Sequence, residues 1–421
     1  MKLVTMLAGS LAALAAIPVL AGVTAPPAAP IEVVTDDYYG TKVDDPYRWM
    51  ESGKDQRWLP WLKAQSSYTR VVLDALPGRA AMLADAARLS GDVAELRGAT
   101  QIGQTLIYSK RLPGAEDRQI FVRTGKGQPR LLFDVAKFGN GKLALDWMRH
   151  APSARISVAG LSIRGSEHSS IYLIDIATVK VTDTGIAQAE ISSWRPDSRG
   201  FTYLKMVGTP GQPDYYINAQ PRYHDVVTGK DILLVPRDKP PVAMTEQQLP
   251  EVAFVNQGPG ALLAVRDGRQ QYALYAAPAQ AVLDGKAAWK SVAGFDDIVV
   301  NHSAWGDRLW LLSRKGDGNG RILLTSASNP DLAAAQVIEL PGKPVINFIN
   351  AVSRDALIAE TVGEGGQTAL WRVTAAGAVR QIRLPMPGTA YVNNAVDGVS
   401  ATVALAGWFS PTKIYRLDSQ G

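Results

Sequence analysis

Units of similar texture recur along this chain, beginning near Val93, Leu143, Ala189, Glu251, Ile298, Val345 and Val392. Most open with a short strand, turn into a second strand, and reach a third that often ends in an acidic or basic residue. Their spacing of roughly 45 to 60 residues is the blade period of a β-propeller, and sandwiches do not repeat in this way. The stretch QAEISSWRPDSRGFTYLKM shows the unit best: a strand, turn chemistry from Trp194 to Gly200, then Phe201 and Tyr203 alternating on the next strand. In DDIVVNHSAWGDRLWLLSRKGDGNGRILLTS the plan repeats, with Lys315 to Gly320 as the hairpin turn. One long interval, about 205–250, carries GTPGQPDYY and RDKPP and reads as surface insertions and linkers. The repeat therefore predicts an all-β fold, a seven-bladed β-propeller over 87–421, preceded by a short helical N-terminal segment.

That segment spans 26–86. IEVVTDDYYGTKVDDPYRWMES reads as loop, with Asp45 held away from helical backbone angles by Pro46. KDQRWLPWLKAQSSYTRVVLDALPG reads as a helix carrying Trp58, Trp61, Leu62, Gln65, Tyr68, Val72 and Leu76 on one stripe, stopped at Pro77-Gly78. Such a stripe needs a partner surface. Residues 1–25 have one early charge at Lys2, a short Ala-rich apolar stretch and small residues before a Pro-rich spacer, the layout of a secretory signal peptide cleaved after Ala21 or Ala25. The apolar stretch is too weak for a stable membrane span. No cysteine is present, so lipidation at Cys and disulfides are both excluded, and an exported protein, periplasmic or secreted, is expected to rely on packing alone. The net charge of +5 is small and its basic residues are scattered, which leaves no nucleic-acid footprint.

A search for catalytic chemistry returns little. An α/β-hydrolase needs Gly-x-Ser-x-Gly, because the strained turn demands small neighbours on both sides of the nucleophile, and no serine matches. Ser162 and Ser166 in GLSIRGSEHSS lack the glycine pair. His150, His168, His224 and His302 are isolated and read as structural, with no paired metal spacing. Gly316-Asp317-Gly318-Asn319-Gly320 lacks the carboxylates of a calcium loop and the Lys-Ser/Thr of a phosphate loop, and reads as a turn. No cofactor or metal is called. Asp and Glu number 39, so a glycosidase-like carboxylate pair around the axis stays open, without a positioned motif to support it.

The opening DDYYGTKVDDPYRWMES, the Trp-rich helix with Trp61 and Ala64-Gln65, and Leu76-Pro77-Gly78-Arg79 resemble the N-terminal segment of the prolyl oligopeptidase family of serine peptidases. LIYSKRLPGAEDRQIFVR, GLSIRGSEHSSIYLIDI and SSWRPDSRGFTYLK resemble, in order, the first blades of that family's propeller. The resemblance implies a two-domain enzyme in which a hydrolase domain carries the Ser, Asp and His, and FSPTKIYRLD resembles the last propeller strand, where the hydrolase would resume. No catalytic residue can be carried over, and this chain alone is expected to be inactive, since even one missing triad member costs orders of magnitude in rate. LLAVRDGRQQYALY resembles the stretch in which an arginine on an inner propeller loop faces the interdomain cavity, which makes Arg266 the candidate substrate-binding residue; a solvated hairpin arginine is the alternative. The expected role is that of a substrate-gating propeller admitting short peptides, with the chemistry elsewhere; whether a separate hydrolase chain completes the site stays open. The alternatives are a stand-alone exported propeller binding a peptide or protein, and a truncated product with little function.

Overall fold

The computed structural model describes residues 25–90, 94–115, 117–393 and 400–418. The leader-like residues thus fall almost wholly outside the described residues. Two compact units divide the chain at 92/93.

In the first unit, Val34–Tyr38 and Thr41–Asp45 form an antiparallel hairpin where the sequence suggested loop. Nearly every residue of it is exposed, so no apolar alternation marks it in the sequence. A helix, Trp58–Asp74, follows as expected, and a second, Arg79–Ser90, was not foreseen. This second helix crosses the 86/87 boundary drawn from sequence. Trp58 stacks on Trp61 at 6.0 Å, and Trp49 meets Trp61 edge-on at 6.4 Å. The Trp61 and Gln65 side chains donate to the Pro27 carbonyl, so the proline-rich spacer lies along the helix. Both helix tryptophans are half-buried, yet no residue of the helix is fully buried and Leu59, Leu62, Val71 and Leu73 are exposed.

The second unit holds seven antiparallel sheets in chain order, at 95–134, 143–183, 189–233, 249–293, 299–338, 346–382 and 389–418. Each is a meander of consecutive strands, four in blades one to six and three among the described residues of blade seven. Among the described residues no sheet borrows a strand from the other end of the chain, and the last blade meets the first through contacts of its second and third strands with the first strand of blade one. The second strands of blades two to six lie between two neighbouring blades and are buried on both faces. Gly200–Leu204, Ala261–Val265 and Ala356–Thr361 are continuously buried for this reason, where a one-faced sheet would alternate. Gly160 sits in such a strand because a Cβ there would come within 2.2 Å of the Trp147 ring. The turns read from sequence are present: Arg195 N–H bonds to the Gly200 carbonyl, and Gly320 N–H to that of Asp317. The 205–250 interval is more than insertion, since it contains the outer two strands of blade three, and Leu204, Met206, Tyr215 and Ala219 build a small core of their own.

First strands pack against first strands between blades three and four, five and six, and seven and one. Their inner edges have no strand partner, so their N–H groups need acceptors from elsewhere. Side chains of the preceding blade supply them: Phe254 N–H donates to Ser193, Ile349 to Asn301, Ala351 to Ser303 and Val392 to Glu360, at 2.8 to 2.9 Å. The first strands of blades one, two, three, five and six are bulged, and in blades three and five the irregularity immediately precedes Ser193 and Asn301. A bulge re-aims a side chain, here toward the next blade.

Candidate functional site

Because the strands of each blade run antiparallel in order, the hairpins between second and third strands emerge on the face where first strands begin. Arg266 is the last residue of the second strand of blade four, paired in register with Leu249 at the start of the first. It therefore stands at that face, at a strand end rather than on the loop expected from sequence. Glu251 pairs with Ala264, two positions away from Arg266, so both side chains share one face of the sheet. Their contact is direct: Arg266 Nε donates to Glu251 Oε2 at 3.0 Å. The guanidinium also lies 4.2 Å from the Tyr272 ring centroid, a cation–π contact that fixes its plane. Arg266 is thus no freely solvated hairpin residue, although its side chain keeps 37% of its exposure.

Blade five closes the far side. Tyr272 is buried and its hydroxyl hydrogen-bonds His302 Nδ1 at 2.6 Å. Burial, reinforced by the Arg266 charge, brings His302 down to about 4, so its ring is neutral near pH 7. Burial also holds the Tyr272 hydroxyl well above the usual phenol range. Toward blade three, Glu190 is pushed up by burial and then by the Glu251 charge, with Arg149 acting the other way. The result is a half-exposed cation on a rigid aromatic platform, paired with one carboxylate, Glu251, which feels the charge of Glu190 from blade three. With Nε engaged by Glu251, the guanidinium has further N–H groups that suit a carbonyl or carboxylate oxygen.

Nothing here is a nucleophile. Among the described residues no histidine bridges a serine and a carboxylate: His150 bonds Ser157 at 2.8 Å inside blade two, His224 approaches Asp231 at 3.4 Å, and Asp146 accepts from Ser162 and Ser169. Ser157 is fully buried, and burial followed by the Arg149 charge lowers His150 to about 4. No group of three or more metal-ligating side chains occurs among the described residues. Sequence reasoning singled out Arg266 but missed Glu251, Tyr272 and Glu190, and it treated His302 only as structural. The strand register of blade four would have placed Glu251 beside Arg266, whereas the blade-five contact had no local signal.

The model for the N-terminal β-propeller domain of prolyl oligopeptidase matches residues 26–421. A prolyl endopeptidase of Elizabethkingia meningoseptica is 23% identical over 70% of this chain and 42% of its own length; that of Elizabethkingia miricola is 22% identical over 85% and 50%. The chain thus spans half or less of these relatives. A structure from a study of two prolyl endopeptidases superposes with a TM-score of 0.78 at 21% identity, over 94% of this chain and 58% of its own. Prolyl oligopeptidase B from Galerina marginata, bound to a 35-residue hydrolysis and macrocyclization substrate, gives 0.74 at 16% identity over 94% and 58%.

Proposed function

Because the chain belongs to the prolyl oligopeptidase family, as its N-terminal β-propeller domain, we propose that it forms the substrate-gating part of a serine endopeptidase that cleaves short peptides after proline. The observation that carries this reading is the family match across 26–421 in a chain whose 421 residues hold no Gly-x-Ser-x-Gly. The ring selects by size, the chemistry resides in a hydrolase portion, and this chain alone does not cut peptide bonds. Arg266, steadied by Glu251 and Tyr272, contacts the peptide where it passes the ring face. The apolar side chains left open, Leu59, Leu62, Val71 and Leu73 on the first helix and Trp408-Phe409 on the last hairpin, are surfaces that a hydrolase portion covers, whether that portion is contiguous or a separate chain. In this reading residues 1–25 direct export, so the enzyme works in the periplasm or outside the cell.

The purified chain tests this. A chromogenic proline peptide should remain uncut, and a series of proline peptides from five to fifty residues should bind with affinity that falls as length grows. Arg266→Gln should weaken the short peptides about tenfold, the loss of one charge-assisted hydrogen bond. Turnover by the chain alone would overturn the division of labour. Binding of folded proteins, with no preference for short peptides, would favour a stand-alone binding propeller.

A further inference from the structure

Clusters of buried apolar side chains join blade one to two, two to three, and so on around the ring to blades six and seven. Among the described residues none spans blades seven and one. Two rows that mix polar and apolar side chains meet there instead, with Leu106, Ile414 and Tyr415 among them. On blade one the register sets Gln101 beside Leu106 and Leu106 beside Arg123. On blade seven it sets Thr402 beside Arg416. The Thr402 hydroxyl donates to the Ala99 carbonyl of blade one, so that row faces blade one. Between the rows lies a cavity of about 430 Å³, into which Lys126 also reaches.

Three cations, Arg123 and Lys126 from one wall and Arg416 from the other, therefore line one cavity. Among the described residues no carboxylate lines it, and none of the three has a carboxylate partner. Guanidinium groups on facing blades repel each other, whereas an oxyanion between them would accept charge-assisted hydrogen bonds from both sides. The Gln101 amide, one N–H of which bonds the Gly103 carbonyl, has a second N–H to add as a neutral donor from the same wall.

We propose that the cavity between blades seven and one binds a small oxyanion of two or more negative charges, held by Arg123 and Lys126 of one blade and Arg416 of the other. Such an anion clasps the ring at the junction where the described residues form no buried apolar cluster. Phosphoryl and carboxylate oxygens both satisfy this chemistry, so the probes are inorganic pyrophosphate and citrate. Titration calorimetry on the 421-residue chain, at constant ionic strength in chloride, should give one equivalent bound. Arg123→Gln and Arg416→Gln should each weaken binding tenfold or more, the scale of one charge-assisted hydrogen bond at about 1.5–3 kcal/mol. Arg164→Gln, on an exposed turn of blade two, should leave it unchanged. Bound anion should also raise the melting temperature of the parent chain and fail to raise that of Arg416→Gln. Pyrophosphate binding without citrate identifies a phosphoryl site; binding of both identifies a general polyanion site. Should Arg416→Gln not fold, Lys126→Gln carries the same test. Absence of saturable binding, or an equal loss with Arg164→Gln, overturns the proposal.

Discussion

Glu360 offers the sharpest test of how the blades are joined. Its carboxylate is 8% exposed and accepts the Val392 N–H of the next blade at 2.9 Å, while the Asn350 amide stands at 3.4 Å, at the edge of hydrogen-bonding range. Burial raises its pKa, and the Val392 N–H opposes that shift only in part. Two substitutions separate the effects. Glu360→Ala leaves the Val392 N–H without its acceptor and should cost about 1–3 kcal/mol where the parent carboxyl is protonated, the penalty for one buried unsatisfied donor, and less once the parent ionises. Glu360→Gln keeps an acceptor oxygen and removes the charge. The folded state of the parent holds its proton more tightly than the unfolded chain, so this group's contribution falls as pH rises from the ordinary carboxyl value of 4.5 through the raised folded pKa. The stability of Glu360→Gln minus that of the parent should therefore increase with pH across that window and then level off. Urea unfolding from pH 4.5 to 9 measures it, and taking the difference cancels the other titrating groups. A difference that stays flat, or a Gln variant as damaged as the Ala variant, would refute the claim that this buried carboxylate is tolerated for the sake of one backbone N–H.

Further tests follow from the same contacts. Ser303→Ala should cost about 1–3 kcal/mol by orphaning the Ala351 N–H, read by urea unfolding, and Ser303→Thr should restore most of it. Gly160→Ala drives a methyl into the Trp147 ring and should cost about 1–3 kcal/mol or more, with a change in tryptophan fluorescence. His150 and His302 are both lowered to about 4 in the fold, so unfolded chains bind more protons and stability should fall as pH drops from 6.5 to about 4. His302→Gln should flatten part of that fall, and an unchanged pH profile would remove His302 from the account.

Turns were legible in the sequence because their chemistry is local: Arg195-Pro196-Asp197-Ser198 and Gly316 to Gly320 specify bends without help from distant residues. The sevenfold repeat was legible for a related reason, since each blade is an antiparallel meander closed within its own stretch of chain. The exposed hairpin Val34–Asp45 was not, for lack of a buried face to impose a period. Helix Arg79–Ser90 has alanines where a stripe would be, and so little amphipathic signal. Ser193, Asn301, Ser303 and Glu360 are polar residues on strands, which pattern rules place toward water. They point into the next blade instead, because an inner strand edge leaves N–H groups that only a neighbour can reach. That demand arises from the ring and has no counterpart in any single unit.

If Arg266 contacts a peptide as proposed, its acidic neighbours narrow what it can hold. A peptide carboxylate would have to displace or sit beside Glu251, with Glu190 adding a second negative charge nearby, and like charges crowded on one partly buried site disfavour each other. A neutral backbone carbonyl needs only one of the N–H groups that Glu251 does not use, and it leaves the ion pair intact. We therefore expect a proline peptide with an amidated C-terminus to bind at least as tightly as its free acid, and Glu251→Gln to shift the preference toward the acid. Calorimetry with the two peptides on the parent and on Glu251→Gln decides it. A free acid bound more tightly by the parent, with the preference abolished by Arg266→Gln, would show that the guanidinium seeks a charge and that Glu251 is a partner the substrate replaces.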